Sequence, residues 1–536
     1  MVLITSSGVT RAEEYVYEPT VLSFTGNTHQ NPYTDVLFWT VFNGPNSEEL
    51  VLNGFWDGGK IWKIRFTPTS AGTWTYTTGA IGDSRLPGKT GQITVRESTS
   101  EGFIIRDPNN GSAFKRSRGN TIFLMGDTCW NCMSTSGGTT NSVWADYIDI
   151  RKSQNFNFIR SYIVSLYVPG KCPGYPYCDT NKNEGGWAFG NDMNPDTLNP
   201  AYFQGVEERI EYANSKGVSV FLTFGSDQQA MTDFFNTDER LERYLRYVVA
   251  RFGGYDVAWD GRLEFEEQNL ADIEAAKALA NKIGNWVEEY DPYAHLQSMH
   301  TIDSCNELGN EGWLDWIMHQ GFEGNTHNYS WNLITSDRSH GKPVMNIEFY
   351  YEESEPGAGT YPHHADADTL RKGAWNVMLN GASGLAYGHT GTLDAAGMYF
   401  QGVAHTTSPG ADYMTNLHKF FSYFGPWKFS PALPSATNDL LSNPGSEYIA
   451  YFEQGTSRAI SVSPGCYIYS WYNPRAGTTE AGGSFSGSSY NFVPPDNKDW
   501  VLACVKDADA CKPGNSDADG VPNDKTTAPS TIIHGR

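Results

Sequence analysis

Apolar and polar side chains alternate at every second position through short stretches of residues 15–97. Examples are VLFWTVFNG, IWKIRFTP and GTWTYTTG, and turn-forming residues separate them. Such alternation predicts strands that turn one face to a core and the other to solvent. Several short strands with frequent turns are typical of a β-sandwich, which we place at residues 1–102.

The pattern changes near residue 103, where apolar strand-like stretches begin to alternate with amphipathic helical ones. Eight strand-like stretches follow, from TIFLMGDT to SGLAYGH, and helical patterns such as NLADIEAAKALANKIGNWVEEY lie between most of them. This order predicts a parallel sheet with helical crossovers. Eight strands favour a (β/α)8 barrel over residues 103–428. A doubly wound sheet is the alternative, although no G-x-G-x-x-G sequence follows the first strand.

Alternating strand patterns return after residue 428 in EYIAYFEQG, RAISVSPG and CYIYSWYNP. They predict a second small β-sandwich at residues 429–507. The final stretch, 508–536, is rich in Asp, Gly, Pro, Ser and Thr, which is typical of a linker or tail. The predicted α/β fold is therefore a (β/α)8 TIM barrel flanked by N-terminal and C-terminal β-sandwich domains.

Polar residues at strand ends are the candidates for chemistry, because the active site of such a barrel lies at the carboxyl ends of its strands. Asp127, His300 and His389 occupy such ends, and the acid-rich sequence WDGRLEFEEQ follows the fourth strand. Several acids at one rim, without a metal-like His and Cys set, indicate carboxylate chemistry. Glycoside hydrolysis uses a carboxylic acid to protonate the leaving oxygen and a carboxylate to attack or to activate water.

Glu348 is the most specific of these candidates. It ends the mostly apolar stretch PVMNIE, whose earlier side chains would be buried in the barrel wall. A carboxylate directly after such a run is costly unless it lines a cleft. The alternative is a glutamate that is salt-bridged at the rim. We predict that Glu348 is catalytic.

Composition and charge narrow the possible partners. The formal net charge of −23 argues against nucleic acid, because a phosphate backbone requires a basic face. No run of about 18 apolar residues exists, so no membrane span is predicted. Aromatic residues make up 14% of the chain, which suits sugar binding as well as β-rich cores. The oligomeric state does not follow from the sequence.

The eight cysteines favour a secreted or extracellular protein with some disulfides, and their uneven spacing does not match a zinc site. Cys172 and Cys178 flank PGYPY, a rigid loop that a disulfide would close, and Cys466, Cys504 and Cys511 cluster late in the chain. Reduced, buried thiols are the alternative. The sequence CWNC has C-x-x-C spacing, but no thioredoxin-like βαβ pattern surrounds it, so we assign it no redox role.

Five sequences carry a resemblance to a known family: FLMGDTCWN, YIDIRKSQNFNFIRSYI, DPYAHLQSMH, WLDWIMHQ and KPVMNIEFYYE. With them, residues 120–420 resemble the apiosidase-like glycoside hydrolases, a (β/α)8 group related to clan A. The regions before and after resemble the β-sandwiches that accompany such barrels. The resemblance implies that Glu348 is the nucleophile, that Asp127 and Trp130 line the sugar-binding subsite, and that an acid/base lies just after the fourth strand.

The acid/base position is where this chain departs from the family, because WDGRLEFEEQ replaces a plain Asn-Glu. Glu264 fits best by register after Trp259 and Asp260, and Glu267 and Glu266 are the next candidates. The alternative is that these acids cap the helix expected to begin near residue 269, where the helix dipole favours negative charge. Other side chains predicted to contact the sugar are Asn131, Tyr162, Trp259, His300, Gln320, Tyr350 and His389.

Asn-Glu does occur twice elsewhere, in SCNELGNEGWLDW, at Glu307 and Glu311. This sequence lies between the fifth and sixth predicted strands, so an acid/base there would be one strand late. Gly309 and Gly312 also make it turn-like. We interpret it as a loop near the rim of the cleft and not as the catalytic acid.

The tail contains NSDADGVPND, with oxygen-bearing residues at alternate positions followed by Gly, as a calcium loop requires. The twelfth loop position is Thr526 instead of the bidentate Glu, so an EF-hand is not expected. No cofactor is required by the predicted chemistry. Weak calcium binding in the tail or a solvated linker are both open; the ligands would be Asn515, Asp517, Asp519 and Asp524.

The sequence thus predicts a glycoside hydrolase that cleaves a plant or algal polysaccharide or its oligosaccharides. Glu348 would act as nucleophile and Glu264 as acid/base, with retention of anomeric configuration. A non-catalytic carbohydrate-binding protein and a polysaccharide lyase are the alternatives. No basic cleft that would neutralise a uronate is evident, which disfavours the lyase. The linkage and the choice between endo and exo action do not follow from the sequence.

Overall fold

A computed structural model shows three regions of β-sheet that succeed one another along the chain. In the part of the chain that it describes, no helix is both long and apolar enough to cross a membrane. The structure describes residues 3–4, 13–135, 139–164, 166, 182–190, 192–225, 228–266, 272–321, 332–352, 364–389, 407–431 and 440–511.

Two sheets in the N-terminal region share one core. Phe42 stacks on Phe66 with 4.1 Å between the ring centroids, and Trp74 meets Phe66 edge-on at 5.1 Å. The predicted alternation is confirmed, because every second residue of Leu37–Asn43 is buried. In spatial order, the first sheet contains Leu3–Ile4, Thr20–Thr25, Ile61–Phe66 and Phe55–Gly58, and the second contains Glu14–Tyr15, Thr90–Arg96, Gly72–Ile81, Leu37–Asn43 and Glu49–Asn53.

Seven strands of the central region form one parallel sheet, which confirms the predicted alternation of strands and helices. All five residues of Leu124–Thr128 and of Ser219–Thr223 are buried. Burial on both faces explains why these strands are continuous apolar runs instead of alternating ones. In spatial order the strands are Val257–Trp259, Ser219–Thr223, Phe158–Tyr162, Leu124–Thr128, Gly384–Tyr387, Val344–Glu348 and Ile317–Gln320.

The fifth predicted strand, HLQSMHT, does not form a regular strand. Gln297 makes a single parallel bridge with Trp259, and the Ser298 N–H donates to the Trp259 carbonyl at 2.9 Å. Toward residues 315–316, side chains supply some of the hydrogen bonds that backbone groups would make in a regular strand pair. The Ser298 hydroxyl donates to the Trp316 carbonyl at 2.8 Å, and the Asp315 carboxylate accepts from the Gln297 N–H at 2.9 Å. The segment therefore lies between two extended stretches without a continuous backbone ladder.

Helices follow most strands of the parallel sheet, and capping side chains mark where several begin. The helix that was expected near residue 269 begins at Ile273, and the Asp272 carboxylate caps it by accepting from the Ala275 N–H. The α-helices of the central region are Asn141–Ser153, Pro200–Ser215, Gln228–Phe235, Asp238–Phe252, Ile273–Tyr290, Asn332–Asp337, Ala367–Leu379 and Pro409–Phe424.

A buried ion cluster joins the N-terminal region to these helices. Arg65 pairs with Glu207, and Arg251 contacts Glu207 at 2.6 Å and Asp57 at 2.9 Å. Both arginine side chains are fully buried. Because loss of one partner would leave a buried charge unpaired, the cluster resists separation of the two regions.

The C-terminal region is a six-stranded antiparallel sheet in the described residues. Its strand Arg458–Asn473 pairs with Thr478–Phe492 along its length but with Trp500–Lys506 only through its second half. Residues from both halves, such as Ile460 and Trp471, enter one core. The remaining strands are Ser430–Pro431, Leu440–Asn443 and Glu447–Phe452.

Candidate active site

Glu348 ends the strand Val344–Glu348, and its carboxylate is nearly out of water. The preceding residues Val344, Met345 and Ile347 are buried, and the Glu348 side chain is only 11% exposed. The apolar run therefore ends in an acid that is mostly buried. Burial disfavours the charged form and raises the pKa of Glu348 to about 7.

Three side chains contact this carboxylate. Nε2 of His300 lies 3.2 Å from Oε2 of Glu348, and Nη1 of Arg160 lies 3.7 Å from the same oxygen. Tyr351 also hydrogen-bonds the carboxylate. The charge of Arg160 and the bond from Tyr351 lower the Glu348 pKa, whereas the nearby Asp260 carboxylate raises it. The acid therefore titrates near neutral pH, where both of its protonation states are accessible.

Arg160 is itself held by a buried carboxylate. Its Nε donates to Oδ2 of Asp260, and neither side chain is exposed. Its guanidinium carbon lies 4.1 Å from the ring centroid of Trp130. Removing one member of a buried ion pair leaves the other charge uncompensated. The pair therefore fixes the cation beside the Glu348 carboxylate.

His300 links two acids through its two ring nitrogens. Nδ1 lies 3.0 Å from the backbone nitrogen of Glu264, which can only donate, so Nδ1 is the acceptor. Burial, with a contribution from Arg160, holds the pKa of His300 well below its usual range. The neutral ring therefore carries its proton on Nε2 and donates it to Glu348. This tautomer is assigned from the hydrogen-bond network.

Glu264 lies beside this histidine in a strained turn. Its backbone φ of +40° is in the left-handed region, which residues other than glycine rarely adopt. Its Oε1 accepts from Nε2 of Gln320 at 2.9 Å, and its backbone binds His300. Strain of this kind persists only where surrounding contacts enforce it, and it occurs often at functional sites.

A second buried acid, Glu266, follows two residues later. Its carboxylate accepts from the Thr301 hydroxyl and from the Ile302 N–H at 3.2 Å. Burial raises the pKa of Glu266 to about 7. These bonds hold the carboxylate on the backbone that follows His300. The remaining candidate, Glu267, lies outside the described residues.

Trp130 forms an aromatic wall beside the acids. Its ring stacks on Tyr162 with centroids 4.5 Å apart, and its Nε1 donates to the Tyr351 hydroxyl at 3.0 Å. A disulfide between Cys129 and Cys132 brackets this tryptophan. The C-x-x-C sequence is therefore a short disulfide loop at the site. Cys466 and Cys511 form a second disulfide, Cys504 is a free buried thiol, and Cys172 and Cys178 lie outside the described residues.

The proposed calcium ligands Asn515, Asp517, Asp519 and Asp524 lie outside the described residues. Within the described ranges, no group of three His, Cys, Asp or Glu side chains is arranged to hold an ion.

Comparison with protein families identifies the central region. The family model described as the apiosidase-like catalytic domain matches residues 108–436, which is more than half of the chain. The chain belongs to this apiosidase-like family. It is therefore a glycoside hydrolase, and its substrate is a carbohydrate. A second family model, described only as a domain of unknown function, matches residues 14–80.

Solved structures agree with this assignment at the level of the fold. A candidate glycoside hydrolase from Bacteroides vulgatus is 18% identical with a TM-score of 0.76, and the match covers 93% of this chain and 100% of that one. A family 5 glycoside hydrolase from the same organism is 17% identical with a TM-score of 0.63, over 76% and 94% of the two chains. A search of curated proteins found no match.

Some of the residues predicted to bind sugar in this hydrolase have contacts elsewhere. The Asp127 carboxylate accepts from Tyr147 at 2.5 Å and from Arg151 at 2.6 Å, both on the helix Asn141–Ser153. The indole of Trp259 donates to Asp291 at 2.7 Å. Four other predicted sugar contacts do lie at the site. His300 contacts Glu348, Gln320 contacts Glu264, and Trp130 stacks on Tyr162. Asn131 lies in the disulfide loop, and His389 is buried beside Glu352.

Tyr351, and not Tyr350, is the tyrosine whose side chain contacts the Glu348 carboxylate. Period-two alternation from Glu348 along a continuous strand would point Tyr350 into the site. The strand instead ends at Glu348, and pairing resumes only at Tyr351. The Tyr350 ring packs near Gly373 on a helix, where an added Cβ would lie 2.6 Å from it. The interruption changes which side chain faces the acid.

Arg160 was also missed by the sequence analysis. Its position inside the apolar stretch FNFIRSYIV was a usable indication, because a buried charge requires a partner. Glu307, by contrast, lies on a short surface helix, is 51% exposed and pairs with Lys277 at 3.7 Å. It has the position expected of a loop residue.

Activity should depend on pH through Glu348. The sequence predicts that Glu348 attacks as a carboxylate, and its pKa is about 7, so kcat/KM should fall as the pH drops through that value. Arg160→Gln removes the cation that lowers this pKa, so the acidic limb should move about one to two units higher. The control Arg118→Gln, at an exposed ion pair, should leave the profile unchanged. An unmoved limb in Arg160→Gln would show that Glu348 is not the group observed.

The two adjacent tyrosines should differ in effect. Tyr351→Phe removes a hydrogen bond to a charged acid and should lower kcat/KM by about 10- to 100-fold. Tyr350→Phe is the matched control and should change kcat/KM less than about twofold. Steady-state kinetics on folded variants would measure both. Equal losses would contradict the assignment of Tyr351 to the site.

Proposed function

We propose that this hydrolase cleaves a plant or algal polysaccharide or its oligosaccharides with retention of configuration. Glu348 is the nucleophile and Glu264 the acid/base. The observation that carries the proposal is that one neutral histidine, His300, binds the Glu348 carboxylate through Nε2 and the Glu264 backbone through Nδ1. Two acids are thus held on opposite sides of one ring at the end of the parallel sheet.

In this mechanism the Glu348 carboxylate attacks the anomeric carbon while the Glu264 carboxylic acid donates its proton to the departing oxygen. The glycosidic bond breaks and a glycosyl ester forms on Glu348. Water then attacks the ester as Glu264 accepts the proton, which frees the sugar and restores both acids. Arg160 and Tyr351 favour the ionised form of Glu348 and so stabilise it both before attack and as leaving group.

The sugar ring is proposed to lie against Tyr162, which stacks on Trp130, with Gln320 orienting the Glu264 carboxylate. The other proposed substrate contacts are Asp127, Asn131, Trp259, Tyr350 and His389. The aromatic wall suits the apolar face of a pyranose ring. Membership of a hydrolase family removes the support for a lyase or a non-catalytic binding protein.

The architecture proposed is a complete (β/α)8 barrel at residues 103–428 between two β-sandwiches at 1–102 and 429–507, with a tail at 508–536. The contact of Arg160 with Glu348 supports closure of the barrel, because two other strands lie between the strands that carry these residues. A flat sheet would keep them apart. The core shared by the two N-terminal sheets supports the first sandwich, and the core to which both halves of the strand Arg458–Asn473 contribute supports the second. The two disulfides support secretion, and weak calcium binding in the tail stays a prediction.

The test is a screen of plant and algal polysaccharides followed by kinetics of variants on the best substrate. Glu348→Gln should lose several orders of magnitude in kcat. Glu264→Gln should lose about 10²- to 10⁴-fold, and azide should restore its turnover by replacing water in the second step. The control Glu307→Gln, at a surface ion pair, should retain most activity.

Asp260→Asn and Glu266→Gln separate the neighbouring acids. Neither should respond to azide, because the Asp260 carboxylate binds Arg160 and the Glu266 carboxylate accepts from the Thr301 hydroxyl and the Ile302 N–H. Rescue of Asp260→Asn or Glu266→Gln instead of Glu264→Gln would move the acid/base to that residue. Full activity of Glu348→Gln would overturn the proposed function.

A further inference from the structure

The N-terminal five-stranded sheet has one face that turns away from its core. Burial alternates along Leu37–Asn43, where Phe38, Thr40 and Phe42 point inward. The alternate residues therefore point outward, and the strand register aligns them with outward residues of the neighbouring strands. We call this surface the outer face; it comprises Leu37, Trp39, Val41, Asn43, Glu49, Val51, Asn53, Thr75, Thr77, Gly79, Ile81, Thr90 and Gln92.

Trp39 lies at the centre of the outer face, between Asn53 and Gly79 on the adjacent strands. A Cβ placed on Gly79 would lie 2.4 Å from Cε2 and 2.5 Å from Cζ2 of the Trp39 ring. The indole therefore covers the backbone of Gly79, in a space that only glycine leaves open. Trp39 keeps partial exposure, so the ring lies on the sheet and still meets solvent.

Aliphatic side chains surround this ring on an otherwise polar surface. Leu37 is 40% exposed, Val51 49% and Ile81 63%, and these are three of the six exposed large hydrophobic residues in the described part of the chain. Leu37 pairs with Ile81, and Val41 pairs with Val51 across the strands. Exposed apolar residues that cluster in this way mark binding surfaces, whereas single ones need no explanation.

The other half of the outer face carries uncharged hydrogen-bonding groups. Asn43 is opposite Thr75, which is opposite Gln92, and Thr77 is opposite Thr90. Glu49, opposite Asn43 at one end, is the one ionisable member of the outer face, and the residues paired with Trp39 are uncharged. Among these residues a polyanion would find no cation, and a basic peptide would find a single carboxylate at the edge.

We propose that the outer face is a second carbohydrate-binding site, separate from the catalytic one, that takes a neutral polysaccharide chain. The C–H face of a pyranose stacks on the Trp39 ring, and its hydroxyl groups exchange hydrogen bonds with Thr, Asn and Gln side chains. The inference rests on the proposed function only in taking a carbohydrate as the ligand. The buried ion cluster at Arg65 and Glu207 keeps this site fixed relative to the catalytic region.

The experiment is affinity electrophoresis of the full chain carrying Glu348→Gln, in gels that contain galactomannan, xyloglucan, arabinoxylan, laminarin or agarose. At least one neutral polysaccharide should retard the protein, and polygalacturonate should not. Trp39→Ala should weaken retardation about tenfold. Gly79→Ala should do the same with the tryptophan still present, because its Cβ displaces the ring. Tyr423→Ala removes another aromatic that is 40% exposed and should have no effect.

Hydrolysis of a short oligosaccharide by Trp39→Ala in the active enzyme should remain at wild-type rates, since the outer face is not part of the catalytic site. The two proposals can therefore fail separately. Absence of hydrolysis with retardation intact would count against the catalytic proposal at Glu348. Absence of retardation with hydrolysis intact would count against the binding site at Trp39. Retardation that is unchanged in Trp39→Ala and Gly79→Ala, or absent with all five gels, would overturn the inference. So would sedimentation data showing a dimer that Trp39→Ala dissociates, because the face would then bind a second copy.

Discussion

The site depends on keeping one buried carboxylate able to ionise. Glu348 is at the end of an apolar strand, where loss of water alone would hold it protonated. Arg160, His300 and Tyr351 each provide a contact that water would otherwise supply. Arg160 in turn needs Asp260, because an unpaired buried guanidinium is as costly as an unpaired carboxylate. Glu348 and Asp260 therefore share a partner of opposite charge, because both contact Arg160.

These partners also explain why the local backbone takes an unfavourable shape. The neutral His300 ring carries its single proton on Nε2, where it bonds Glu348, because Nδ1 accepts from the N–H of Glu264. Glu264 adopts a left-handed φ of +40° where it supplies this N–H. The same turn points its carboxylate to Gln320. One conformational cost thus sets both the histidine tautomer and the position of the second acid.

The sequence predicted what periodicity controls. Seven of the eight strand-like stretches became strands of the parallel sheet, and the run PVMNIE placed Glu348 at a strand end. It could not predict what depends on interruptions of that periodicity. The break after Glu348 brings Tyr351 to the site in place of Tyr350, and side-chain bonds at Ser298 replace a regular fifth strand. Both are decided by tertiary contacts that no local pattern contains.

Charge partners were equally hard to predict in advance. Arg160 stood out in its sequence only as a charge within an apolar stretch, and its partner Asp260 is distant along the chain. The sequence analysis assigned CWNC no redox role and did not predict that Cys129 and Cys132 pair with each other. Burial can be predicted from the pattern of apolar positions, whereas the pairing of buried charges requires the fold.

The stereochemistry of hydrolysis tests the central claim most directly. A glycosyl ester on Glu348 requires the two carboxyl groups to be about 5–5.5 Å apart, whereas direct attack by water requires roughly 6.5–9.5 Å. Proton NMR of the first-formed product, recorded before mutarotation, distinguishes these cases. The account predicts that the new reducing end keeps the anomeric configuration of the substrate. An inverted anomer would contradict the role of Glu348 as nucleophile, even if both acids proved essential.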